Sequence, residues 1–178
     1  MSGVVELRSR VAAPLAQVWA HASSMTGVNR ELMPLVRMTH PPDARLDAIE
    51  HVPLDQVLFR STLLAFGLLP FDRHSLRLRG LEPPYGFDED SWSWLHRHWR
   101  HRRRLTAIDE RGTEVHDRVE FEPRLPGTTW LVRALVRRVF EHRHAVLERM
   151  FGAPRASRQV SSRSIQPRIS SQHCSRGM

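Results

Sequence analysis

The chain is predicted to be one α+β domain. Alternating, strand-like stretches fill its middle, a long amphipathic helical pattern ends at Phe151-Gly152, and the remaining segment is too polar to join a core. Its 178 residues, 40% of them hydrophobic, suit one domain with its own core better than two.

The first element is a strand. From Val4 to Val11, the apolar or small residues Val5, Leu7 and Ser9 alternate with Glu6, Arg8 and Arg10, which predicts a strand ending before Pro14. Pro14 suits the first position of a helix in which Leu15, Val18, Trp19 and Ala22 share one face. A second short helix is expected from Thr26 as N-cap to Met33, closed by Pro34 and succeeded by a short extended stretch from Leu35 to Thr39. The apolar run Val57 to Leu69 is framed by Pro53, Gly67 and Pro70. That punctuation favours a helix, although a run this short also suits a strand.

Three strand-like stretches come next: Arg73 to Leu81, Gly86 to Trp94 and Arg97 to Ile108. A fourth, Thr113 to Glu122, is reached through Asp109-Glu110-Arg111-Gly112, read as a three-residue hairpin loop with Gly112 left-handed and Asp109 opposite Thr113. In that register the odd-numbered residues share a face, with Trp99, His101, Arg103 and Leu105 on one strand and Val115, Asp117, Val119 and Phe121 on the other. The closing helix, Thr128 to Met150, would be about 33 Å long at 1.5 Å per residue. Its expected apolar stripe is Leu131, Leu135, Val139, Val146 or Leu147, and Met150.

Composition narrows the function. The formal charge is +8, and every one of the 27 basic residues is arginine. Five of these (Arg155, Arg158, Arg163, Arg168, Arg176) fall in the acid-free segment 153–178, leaving 8 − 5 = +3 for residues 1–152. That segment is expected to be disordered and the domain only mildly basic, so a nucleic-acid partner is not expected. No apolar run is long enough for a membrane span and the N-terminus lacks the apolar core of a signal peptide, which predicts a cytoplasmic protein. The lone Cys174 forms no internal disulfide. No phosphate loop, nucleophile elbow or paired-carboxylate motif is present, and no cofactor is implied.

The order of strand, two short helices, antiparallel meander and long terminal helix is similar to that of the START-like superfamily. Particular residues carry the resemblance: Phe59-Arg60-Ser61, Phe66-Gly67-Leu68-Leu69-Pro70-Phe71-Asp72-Arg73, Trp99-Arg100-His101-Arg102-Arg103, Asp117-Arg118-Val119-Glu120-Phe121-Glu122-Pro123-Arg124 and Phe140-Glu141-His142-Arg143-His144. They resemble a bacterial ligand-binding branch of that superfamily, which also contains polyketide cyclase/dehydrases and lipid-transport proteins; residues 1–152 are covered. The resemblance implies a helix-grip fold: a curved antiparallel sheet wrapped around the C-terminal helix, with an internal cavity for a small hydrophobic molecule.

The candidate ligand-binding residues are Phe66, Trp99, His101, Arg103, Asp117, Phe121, Phe140 and His144. The aromatic side chains offer surfaces for a planar or lipid-like ligand, and core filling is the alternative for each. Arg103 and Asp117, read as diagonal neighbours across the hairpin, either satisfy one another or contact the ligand. His101, with Asp117, has the chemistry of a general base in a cyclase or dehydratase, while a lone core histidine simply held in place is the simpler reading. His96, His98, His101, His142 and His144 lack zinc-ligand spacing; alternation puts His96 and His98 on the face opposite His101.

Overall fold

A computed structural model of the chain describes residues 2–41 and 52–153. The elements are β1 (Gly3–Val11), α1 (Leu15–Ala22), α2 (Met25–Leu32), β2 (Val36–Met38), β3 (Val57–Ala65), β4 (Leu69–Glu82), β5 (Gly86–Ser93), β6 (His96–Asp109), β7 (Gly112–Pro123) and α3 (Thr129–Phe151). The seven strands among the described residues form one antiparallel sheet in the order β1-β7-β6-β5-β4-β3-β2, so the two ends of the meander lie far apart and β1 closes one edge against β7. The segment expected to be a disordered tail lies outside the described residues from 154 onward.

Several boundaries move, for identifiable reasons. Pro14 occupies the N-cap position of α1, one residue before the helical position expected for it. Ser24, not Thr26, caps α2, because its hydroxyl accepts a hydrogen bond from the Gly27 amide at 3.0 Å. The helix expected in residues 57–69 is a correction: Val57–Ala65 is β3, and Leu69 already belongs to β4. Between them Phe66 (φ 52) and Gly67 (φ 73) both take left-handed backbone, so the glycine there marks a hairpin turn and not a helix end. The cost of that conformation falls on Phe66, whose side chain it directs to an internal cavity.

The β6–β7 hairpin is a second correction. Asp109 pairs with Gly112, Ile108 is bulged, and Ala107 stands opposite Thr113. The Asp109 carboxylate accepts the Arg111 amide at 2.8 Å and so shapes a two-residue turn; Gly112 has no positive φ. Arg103 is therefore directly opposite Asp117, not diagonal to it. The expected and observed registers differ by two residues, which preserves parity, so the expected core face is the one observed. A second bulge, at Arg97, does change a face: it turns His96 inward with Trp99 and Phe121.

The buried face of α3 consists of Val136, Phe140, Arg143, His144 and Leu147. It is rotated from the expected stripe, for Leu131 and Leu135 remain 45% and 58% exposed. α3 lies on β1 and β7, where two apolar clusters form. One unites Val11, Val18, Leu105, Val115 and Leu147; the other unites Val5, Val119, Phe121, Val136 and Phe140. Between them, β1, β6, β7 and α3 each carry a polar side chain in the inward row: Ser9 on β1, Asp117 on β7, Arg103 on β6, and Arg143 and His144 on α3.

Candidate functional site

Those inward polar groups form one buried ionic layer. Arg103 lies in the middle, 1% exposed. Its Nε and Nη2 donate to the two carboxylate oxygens of Asp117 at 2.8 and 2.7 Å, and its Nη1 and Nη2 donate to those of Glu31 at 2.9 Å each. This is the forked geometry for which a guanidinium is suited. Glu31, brought in by α2, also accepts the Nε of Arg143 at 2.9 Å. His144 joins the Ser9 hydroxyl at 2.8 Å to Asp117 at 3.1 Å, and His101 Nε2 reaches Asp117 Oδ1 at 2.8 Å.

The layer continues towards β4. The other ring nitrogen of His101 faces Glu89 at 3.7 Å, and Glu89 is held by His74 Nε2 at 2.6 Å. Burial opposes ionisation of Glu31, Glu89 and Asp117, but it is outweighed at each. The Arg103 and Arg143 charges hold Glu31 below the usual carboxylate range, and the neighbouring His101 and His74 rings do the same for Glu89. The Arg103 and His101 charges act likewise on Asp117. Burial lowers the Arg103 pKa, and the Asp117 and Glu31 charges reverse this and raise it above its ordinary value.

Beside this layer lies a cavity of about 620 Å³, within the range of small-molecule sites. β1 takes no part in its lining, and β7 contributes only Pro123. The walls come from α1 and α2 (Trp19, Met25, Val28, Leu32), from β3 to β6 (Leu63, Leu76, Leu78, Phe87, Trp99) and from the first half of α3 (Leu131, Leu135, Val136, Val139, Phe140). The physical reason is the seating of α3: it packs on β1 and β7 along one side, through Val136 and Phe140 in one core cluster and Leu147 in the other, and turns another side away from them. Leu131, Leu135 and Val139 therefore face the void, not a packed core.

Of the eight residues singled out in the sequence, Phe66, Trp99, His101 and Phe140 line this cavity. Arg103, Asp117 and His144 lie in the ionic layer with their polar groups engaged, and Phe121 lies in the core at 1% exposure. His101 forms the boundary between the two regions, with its ring edge-on to Phe87 and Phe140. Glu31, His74, Glu89 and Arg143 escaped the sequence reading, and His96, expected on the face opposite His101, is a correction. His74 had a signal, because His74, Leu76 and Leu78 alternate with Arg73, Arg77 and Arg79. Glu89 is the direct cross-strand partner of His101, which only the β5–β6 register discloses.

His96 is also in the wall. Its Nδ1 is 3.3 Å from the Ser93 hydroxyl and 3.9 Å from Asp72, and its buried Nε2 has no hydrogen-bond partner. Burial lowers its pKa despite the opposing Asp72 charge. Asp72 accepts the backbone amides of Arg73 and Leu95 at 2.8 and 3.2 Å.

The architecture is shared with solved proteins of low sequence identity. A START superfamily protein from Mycobacterium smegmatis superposes with a TM-score of 0.60 at 14% identity, over 83% of this chain and 96% of that one. The Zhui aromatase/cyclase from Streptomyces sp. R1128 does so with a TM-score of 0.54 at 16% identity, over 82% and 88%. A protein from Rhodobacter sphaeroides gives 0.59 at 18%, over 84% and 96%. These likenesses establish the START-like, helix-grip fold. No curated protein matches the sequence. Residues 9–151 match the family described as "Domain of unknown function (DUF8410)", and the chain belongs to that family.

Proposed function

We propose that this protein binds or carries a small hydrophobic molecule without transforming it. The observation that carries the reading is the pairing of an almost wholly apolar cavity of about 620 Å³ with buried wall charges that are already committed, Arg138 being at its exposed rim. Glu89 is engaged by His74 and His101, Arg143 by Glu31, and Asp72 by two backbone amides. An apolar ligand gains from burying its surface there at about 25 cal/mol per Å², with no buried charge to disturb.

The alternative is a cyclase or dehydratase acting on a polyketide-like substrate, with His101 as general base. A base needs a free nitrogen within hydrogen-bond reach of the proton it removes. Both ring nitrogens of His101 point at carboxylates, Asp117 at 2.8 Å and Glu89 at 3.7 Å, which favours the binding reading.

The test is titration with the fluorescent probe 1-anilinonaphthalene-8-sulfonate, using wild type and Leu135→Trp. Leu135 lines the cavity yet is 58% exposed, so a larger side chain there fills the void without crowding a packed core. Saturable binding by wild type, weakened in the variant, is expected. Unsaturable binding, or equal binding by the two proteins, counts against an internal site.

A further inference from the structure

We infer that the end of the sheet at which β4 and β6 begin docks on an anionic lipid surface. Three connections converge there: the β3–β4 turn, the β5–β6 turn and the β7–α3 loop. Ala65 pairs with Leu69 across the first, the Leu95 amide donates to Asp72 at 3.2 Å, and the Arg124 amide donates to the Leu95 carbonyl at 2.9 Å. α3 begins directly after the third. The exposed apolar side chains here are large: Leu68 is 80% exposed, Leu69 65%, Trp94 68% and Trp130 73%. None of these four lines the cavity, so a ligand inside does not account for them. Single exposed apolar residues are ordinary on a protein surface, but a cluster on neighbouring turns marks an interaction surface.

Charge selects the partner. Residues 65–74, 92–99 and 123–138, which build this end, contain Arg73, Arg97, Arg124, Arg133, Arg137 and Arg138, all exposed. Their one acid, Asp72, is buried at 3% exposure, and the adjoining Glu122, opposite His98, is half-buried. Two copies of this face would bring arginines against arginines. A bilayer of anionic lipid instead offers acyl chains to the leucines, an interfacial zone to the tryptophans and phosphate groups to the guanidiniums. Docking in this manner goes beyond the proposed ligand binding and does not require the cavity to be filled.

The experiment uses the full chain with vesicles of phosphatidylcholine alone, of phosphatidylcholine mixed with phosphatidylglycerol, and of the mixture with brominated acyl chains. Binding confined to the anionic vesicles, with tryptophan fluorescence quenched by the brominated lipid, is expected. Quenching excludes residues 154–178 as the sole contact, since they contain five arginines but no tryptophan, and the Leu68/Leu69 variant then separates this face from lipid entering the cavity beside Trp19 and Trp99. The double variant Leu68→Ser/Leu69→Ser, which leaves both tryptophans and all charges in place, should bind roughly tenfold or more weakly, as the loss of two inserted side chains implies. Its circular dichroism should match wild type, because both side chains are exposed. Unchanged vesicle affinity in that variant, or binding without quenching, overturns the proposal in favour of attraction by charge alone. Equal affinity for RNA and for vesicles overturns it in the same way, and a concentration-dependent dimer that ignores vesicles makes a second copy the partner.

Discussion

Arg103 and Asp117 stand directly opposite each other on β6 and β7, joined by two parallel hydrogen bonds of 2.8 and 2.7 Å. The same guanidinium holds both oxygens of Glu31 at 2.9 Å, so one side chain ties α2 to the sheet. Removing it takes the forked donor from two fully buried carboxylates, leaving Glu31 to Arg143 and Asp117 to His101 and His144. Arg103→Met should cost about 3–5 kcal/mol of unfolding free energy, the range for breaking a buried pair from one side. Arg103→Lys should recover only part, because an ammonium cannot reproduce the fork. Arg102→Met is the control: Arg102 binds Asp88 at 2.7 Å but is 58% exposed, and its loss should cost no more than about 1 kcal/mol. Urea unfolding of the three variants measures all of this.

Acid should destabilise the protein, with a sign set by the carboxylates. Glu31, Glu89 and Asp117 have folded-state pKa values below their ordinary ones, so their contribution is complete above about pH 4–5, where the unfolded carboxyls are also ionised. It is lost as pH falls through the folded values, because the unfolded chain then binds more protons. The free energy of unfolding, measured across a pH series, should drop steeply below about pH 4. In Glu31→Gln that acid slope should be shallower even though the variant starts less stable, since one of the three linked groups no longer titrates. An unchanged slope would mean that Glu31 is not held ionised by Arg103 and Arg143.

His101 separates binding from catalysis. Its replacement by alanine leaves Asp117 and Glu89 each short of a partner and should cost about 1–3 kcal/mol. Binding of the fluorescent probe at a temperature where the variant is folded should survive, because the apolar walls are untouched. Retained stability together with loss of a measurable turnover would instead make His101 a catalytic base.

The sheet and its inner face were legible because side-chain parity survives an error of two residues in hairpin register. Alternation alone assigns Trp99, His101, Arg103 and Asp117 to the inner face, whether Asp109 stands opposite Thr113 or, as in the structure, Gly112. Bulges were not legible: the one at Arg97 turns His96 inward, and nothing in the local alternation announces it. The run Val57 to Ala65 was ambiguous because glycine and proline punctuate both helices and hairpins; only its pairing with β4 decides for a strand. Glu31 was invisible for a different reason. Its partners Arg103 and Arg143 are far from it in sequence, and an acid on a short helix ordinarily reads as solvated surface. The rotation of α3 has the same origin, since a rule that buries aliphatic residues passes over Arg143 and His144, which the ionic layer buries in their place.

The proposed ligand binding depends on occupancy of the cavity, and native mass spectrometry of the protein purified from its own host measures that directly. The expected spectrum contains a population heavier than the 20.7 kDa chain by the mass of one small molecule, released on denaturation, soluble in organic solvent, and much reduced in Leu135→Trp. A single species at the mass of the bare chain, in a protein that also fails to bind the probe saturably, would contradict ligand binding.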